Sequence, residues 1–97
     1  MYLLSDTLGK SPEIKILDHF LLHEDFAYTK SEIAKHAGIS RATVYEKLPS
    51  LLEKGILVET KKIGKITLYK LNLDNPTVKK LRSLNFQIAK AIARERK

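Results

Sequence analysis

The stretch Thr29–Gly55, TKSEIAKHAGISRATVYEKLPSLLEKG, holds two short helical patterns joined by a turn. The first opens on a capping box: the Thr29 side chain is placed to accept from the backbone N–H of Glu32, and the Glu32 side chain reaches back to the N–H of Thr29. Ile33, Ala34 and Ala37 are its apolar positions. Gly38 follows, the residue that most cheaply adopts the left-handed conformation ending a helix. Ile39 then precedes a new N-cap, Ser40. The second pattern runs from Arg41 to about Lys54 and stops at Gly55. Helix, glycine turn and second helix with a polar start form the helix-turn-helix arrangement.

On the second helix Val44, Leu48 and Leu51 recur at the spacing of one buried stripe. A step of about 100° per residue puts Ala42, Glu46 and Pro49 on the opposite side, with Thr43 and Tyr45 on the flanks. The outer N-terminal part therefore offers Ser40, Arg41, Ala42, Tyr45 and Glu46, a surface suited to a DNA major groove. The competing reading is a plain helical hairpin whose outer face is only solvated. Pro49 lies within this helix, where it removes the bond to the Tyr45 carbonyl and is expected to kink the chain. The turns that would read a groove precede it.

Downstream, residues 56–61 and 66–71 are β-prone segments around Lys62-Ile63-Gly64-Lys65. Gly64 supplies the positive φ of a tight hairpin, and Tyr69 and Leu71 are expected to face the core. The tip carries Lys61, Lys62 and Lys65 with no acid among them. Such a hairpin beside a helix-turn-helix is a wing able to touch phosphates or a minor groove; lysines that merely protect a sheet edge are the plainer alternative. Ile63 reads as a lone exposed apolar residue rather than a wedge. Upstream, Phe26-Ala27-Tyr28 fits a small strand pairing with the wing.

The residues SEIAKHAGISRATVYEKLPSLLEKGILVET, then a glycine turn, then ITLYKL resemble the winged helix-turn-helix regulators of the MarR/ArsR type, especially small archaeal members. The similarity runs from about Ile14 to Leu73. It implies dimeric binding of double-stranded DNA and transcriptional control. The DNA contacts expected from it and from the helix faces are Ser40, Arg41, Ala42, Thr43, Tyr45, Glu46 and Lys47 on the recognition helix. Thr29, Lys30 and Ser31 at the start of the preceding helix join them, with Lys61, Lys62 and Lys65 on the wing.

Charge follows the same geography. Residues 1–40 carry four lysines and six acids, a net of −2, whereas residues 41–97 carry fourteen Lys/Arg and five acids, a net of +9. A basic half that begins at the recognition helix is the footprint of a polyanion partner, against the plainer reading of a lysine-rich solvated surface. There are no cysteines, which excludes disulfides and thiolate metal sites. No apolar stretch approaches membrane-spanning length and no basic–apolar leader is present, so a soluble, cytoplasmic protein without membrane attachment is expected.

The ends of the chain carry the assembly expectations. Tyr2, Leu3, Leu4 and Leu8 make an N-terminal arm too apolar for a free tail, expected to pack on the last helix or on a partner subunit. Ser11-Pro12-Glu13 starts a helix whose core stripe is Ile14, Leu17, Phe20 and Leu21 and which ends near His23. His19 and His23 share the face opposite that stripe; with no third ligand placed by any motif, they read as surface histidines and not as a metal pair. Asn75 caps a last helix of about twenty residues. Its stripe of Leu81, Leu84, Ile88, Ala91 and Ile92, widened by Phe86, Ala89 and Ala93, is too broad for one small domain. A homodimer interface is expected there, built from Leu4, Leu8, Leu81, Leu84, Asn85, Ile88, Ala91 and Ile92, with Asn85 setting register, against the plainer reading of a monomer with an exposed apolar flank.

These readings converge on an α+β, mainly α, chain of one domain: an arm over residues 1–10, a winged-helix core over 11–73 and a C-terminal helix over 74–97. A chain of 97 residues rarely has room for a separate effector domain. No nucleophile–base constellation, phosphate-binding glycine loop or metal motif supports an enzyme, and no cofactor is expected. The function expected is sequence-specific binding of double-stranded DNA. A protein-interaction module of the same fold, or an architectural DNA binder of low specificity, are the alternatives. Target sequence, the sign of regulation and any effector are not legible.

Overall fold

The computed structural model describes Leu4 and residues 8–95. Its elements in chain order are α1 (Pro12–Leu22), α2 (Lys30–Ala37), α3 (Arg41–Glu53), β1 (Leu57–Ile63), β2 (Ile66–Leu71) and α4 (Pro76–Glu95). The helix starts are the capped ones. Ser11 Oγ accepts from Ile14 N at 3.2 Å, both halves of the Thr29–Glu32 box are closed at 2.9 and 3.2 Å, and Ser40 Oγ accepts from Thr43 N at 3.1 Å. Gly38, at φ 71°, ends α2 in the left-handed conformation, which turns the chain into α3 within two residues. Helix α3 runs unbroken through Pro49, whose ring is exposed.

The hairpin is tighter than the sequence suggests. β1 continues to Ile63, Ile63 pairs with Ile66, and only Gly64 and Lys65 form the turn. Gly64 has φ 60°, and no described residue other than glycine has a positive φ, the pattern of a type II′ turn with glycine first. A bulge between Glu59 and Lys61 shifts the register, which twists the outer half of the wing. Tyr28 and Tyr69 exchange two backbone hydrogen bonds of 2.8 Å, so the 26–28 segment contributes a single bridge to the sheet.

The core lies where α1, α2 and α3 meet the inner face of the hairpin. Phe20, Ile16, Ile33, Val44, Leu48, Leu57 and Leu71 are fully enclosed there. Burial of each such side chain is worth about 1.5–3 kcal/mol, which is what fixes the angle between α2 and α3. Leu4 is 0% exposed and packs into this same core, with its N–H donating to Asp18 Oδ1 at 2.6 Å. It therefore has no surface left for a partner in this conformation, unlike Leu8, which is exposed. Tyr2 and Leu3 lie outside the described residues.

Two expectations about α1 are corrected. The helix is buried nearly all round, Ile16, Asp18 and His19 included, because α2 covers one flank and Leu4 another. His19 is thus not a surface residue. It is 5% exposed, stacked on His36 with ring centres 4.9 Å apart and set edge-on to Tyr28 at 4.4 Å. Burial, then the neighbouring His36 and His23, lower its imidazole to about 4. The unfolded chain binds a proton at His19 below about pH 6.5 while the folded chain resists it down to about 4, so stability falls as pH drops through that window. A loss of about 1–2 kcal/mol is expected, discounted because the cluster opens to solvent through exposed His23 and His36. Thermal midpoints of wild type and His19→Leu between pH 7 and 4 check it: the variant should lose this part of the pH dependence.

Helix α4 is held at its base. Asn75 Oδ1 accepts from Thr77 N at 2.7 Å and Val78 N at 3.2 Å, while its Nδ2 donates to the carbonyls of Gly55 at 3.0 Å and Lys54 at 3.2 Å. Asn72 Nδ2 donates to the same Gly55 carbonyl at 2.9 Å. One side chain therefore caps α4 and satisfies the end of α3. Asn75→Ala should cost about 1–2 kcal/mol, measurable by urea unfolding, and Asn75→Asp should recover only the capping part, since a carboxylate cannot donate to the Gly55 carbonyl.

Beyond this base, Val78 is buried and Leu81 and Ile88 pack partly on the core. Arg82 forms a two-pronged ion pair with Glu24 at the end of α1, at 2.5 and 3.1 Å. Leu84, Phe86 and Ala91 remain exposed, on a helix that gives the molecule its 50 Å length against widths of 27 and 19 Å.

Candidate nucleic-acid interface

The helix-turn-helix and wing enclose one shallow cleft. Its walls are Thr29, Lys30 and Ser31 at the start of α2, Arg41 and Tyr45 on α3, and Lys65, Ile66, Thr67 and Tyr69 on the wing. The fold thus brings together three groups of residues that the sequence places apart. The N-terminus of α2 opens on this cleft, and free N–H groups at a helix start favour an anion. Three cations, Lys30, Arg41 and Lys65, line it without a carboxylate. The arrangement suits a phosphate backbone passing between recognition helix and wing.

Within the cleft the Lys30 ammonium lies 4.5 Å from the centre of the Tyr45 ring and 5.9 Å from that of Tyr69. The contact couples the start of α2 to the outer face of α3 and limits where the Tyr45 ring can go. Tyr69 itself is buried beneath; its alternation with Leu71 marked it as inward-facing, but nothing in the sequence placed it under Lys30.

The remaining recognition-helix residues divide. Arg41, Ala42 and Glu46 are exposed on the outer face, as is Ser40 just before it. Thr43 is half-buried, with its hydroxyl 2.7 Å from that of Ser40, so both hydroxyls are engaged in the cap. Lys47 Nζ lies 3.7 Å from Glu46 and 4.0 Å from Glu13. Two acids beside one lysine leave Lys47 a weak phosphate ligand, although such exposed pairs are worth at most about 1 kcal/mol. Lys61 and Lys62 are exposed on the outer half of the wing and do not line the cleft; they lie beside Glu59, Thr60 and Thr67, the last of which reaches both surfaces.

Among the described residues no group of three His, Cys, Asp or Glu is placed to hold a metal ion, and no helix is long and apolar enough to cross a membrane.

A capped helix-turn-helix followed by a two-stranded basic hairpin defines a winged helix-turn-helix protein, mainly helical. Residues 12–74 match the family described as "Sugar-specific transcriptional regulator TrmB". The chain belongs to this family of transcriptional regulators. Among curated proteins none matches significantly. Similar solved structures include the adhesin competence repressor AdcR of Streptococcus pyogenes, with a TM-score of 0.62 and 21% identity over 82% of this chain and 59% of that one. ZitR of Lactococcus lactis, wild type in complex with DNA, gives 0.59 and 20% over 84% and 58%; another structure of ZitR is described as a zinc-responsive MarR family member. A possible transcriptional regulator from Methanosarcina mazei Go1 gives 0.60 and 18% over 95% and 78%. At these identities the likeness is one of fold, and the chain spans less than two thirds of the length of AdcR and ZitR.

Proposed function

We propose that this chain is a single winged-helix domain that binds double-stranded DNA sequence-specifically, as a homodimer, to regulate transcription in the cytoplasm. It acts without catalysis. Helix α3 enters the major groove, and the wing lies on the backbone or in the adjacent minor groove. The observation that carries this reading is the cleft in which the α2 start, Arg41 and Lys65 converge with no carboxylate between them. DNA bound to a fold neighbour, ZitR, supports it by analogy. As a member of a family described as sugar-specific, the regulator is expected to answer to a sugar.

Reading and holding are assigned to different residues. Arg41 and Tyr45 project from the first turns of α3, where side chains meet base edges, whereas Lys62 contacts backbone. Arg41→Ala should cost about 1–3 kcal/mol on a site selected from random DNA and relax its specificity. Lys62→Ala should weaken all sequences nearly equally and lower the salt slope by about one. Measuring both variants on selected and random duplex separates the roles. Equal losses for Arg41→Ala on the two DNAs would leave α3 as a holder and favour an architectural binder. Tyr45→Phe tests whether its hydroxyl reads a base or the ring only positions Lys30.

A further inference from the structure

The register of the hairpin joins two residues that the sequence shows separately. Ile63 and Ile66 are a directly opposed cross-strand pair that closes the wing, so both side chains point to the same side of the sheet at its very end. They are 55% and 54% exposed, and both are branched at Cβ and therefore stiff. Ile63 alone would be an ordinary exposed aliphatic. Two of them together at a hairpin end cost solvent exposure that the turn does not require, since Gly64 alone supplies its positive φ.

Their setting identifies what would cover them. Lys61, Lys62 and Lys65 lie within two residues of the pair, with Glu59 beside the first two, so the apolar tip is flanked mainly by positive charge. Ile66 and Lys65 also line the cleft beside Arg41 and Tyr45, which puts the tip on the same side of the molecule as the outer face of α3. Six or seven residues of strand reach about 20 Å, enough to leave a major groove and meet the neighbouring minor one.

We propose that the wing tip is an apolar wedge, in which the paired Ile63 and Ile66 side chains enter the minor groove of duplex DNA and partly unstack a base step, while Lys62 and Lys65 hold the flanking phosphates. This rests on the DNA-binding reading above and adds a deformation of the DNA to it. Pyrimidine–purine steps, which unstack most readily, are the steps it would favour.

The test uses the full chain and a duplex selected from a random pool, with 2-aminopurine placed singly across the site and the site permuted along longer fragments for electrophoretic bend analysis. Wild type should raise the fluorescence at one step and bend the duplex by about 20° or more. The Ile63→Ser/Ile66→Ser double variant should lose both signals and bind about tenfold more weakly, yet keep the wild-type salt slope because no cation is removed. Ile63→Val/Ile66→Val should retain both signals. Both positions are more than half exposed, so thermal unfolding should be unchanged. Equal bending and fluorescence in wild type and the serine variant, or wild-type binding with neither signal, overturns the wedge and leaves DNA binding intact. Wild type that binds no duplex overturns both. A serine variant altered only in self-association by sedimentation overturns the wedge and makes the tip a protein contact.

Discussion

Duplex binding should fall by about 10³-fold between roughly 50 and 200 mM salt. Each chain offers Lys30, Arg41 and Lys65 at the cleft and Lys61 and Lys62 on the outer half of the wing to phosphates, and Lys47 is left out of the count because Glu13 and Glu46 already flank it. Each neutralised phosphate contributes about −0.9 to the slope of log affinity against log salt. A dimer engaging a little over half of its cations gives a slope of about −5 to −6. The net of +9 over residues 41–97 adds long-range attraction of the same sign. Fluorescence anisotropy across a salt series measures the slope directly. A flat affinity would remove double-stranded DNA as the partner and leave protein interaction as the use of this fold. An intermediate slope of about −2 to −3 would instead describe a monomer bound to one half-site.

Leu84→Glu should convert the protein to monomers and weaken binding to its full site by about 10²–10⁴-fold. That is the avidity lost when two linked half-site contacts become independent. The choice of residue follows from the structure. Ile88 packs partly on the chain's own core, so a charge there would disturb folding and assembly together. Leu84 and Phe86 are 42% and 64% exposed, which leaves the fold of the protomer intact when either is changed. Phe86 also borders a groove between the end of α1 and α4, lined by Leu21, Glu24, Arg82 and Ala89, a surface of suitable chemistry for a second copy. Sedimentation should show wild type as a dimer at micromolar concentration and Leu84→Glu as a folded monomer with unchanged circular dichroism. A wild-type monomer would count against the dimer, and a dimeric Leu84→Glu would move the interface off this face of α4. If the dimer is twofold symmetric, half-sites about 34 Å apart are expected.

The features legible in the amino-acid sequence are local ones. The four helix starts, the glycine that ends α2, the hairpin turn at Gly64 and the stripe Val44–Leu48–Leu51 all follow from contacts within four residues, where side-chain chemistry and helical period suffice. They were enough to identify a winged helix-turn-helix, and the resemblance to MarR-type regulators pointed to transcription, where the family match places the chain as a TrmB-family member. Tertiary packing decided the rest. His19 stands opposite the apolar stripe of α1, yet α2 and Tyr28 close over it, because a helix at the centre of three neighbours has no solvent side. Leu4 fills the core rather than an interface for the same reason. Asn72 and Asn75 converge on the Gly55 carbonyl, a junction made by residues about twenty apart in sequence. The cleft joining Lys30, Arg41 and Lys65, and the pairing of Ile63 with Ile66, likewise depend on which elements meet and in what register. A periodic pattern shows which face of an element is apolar; it does not show what lies against the other faces, and only the packed chain settles that.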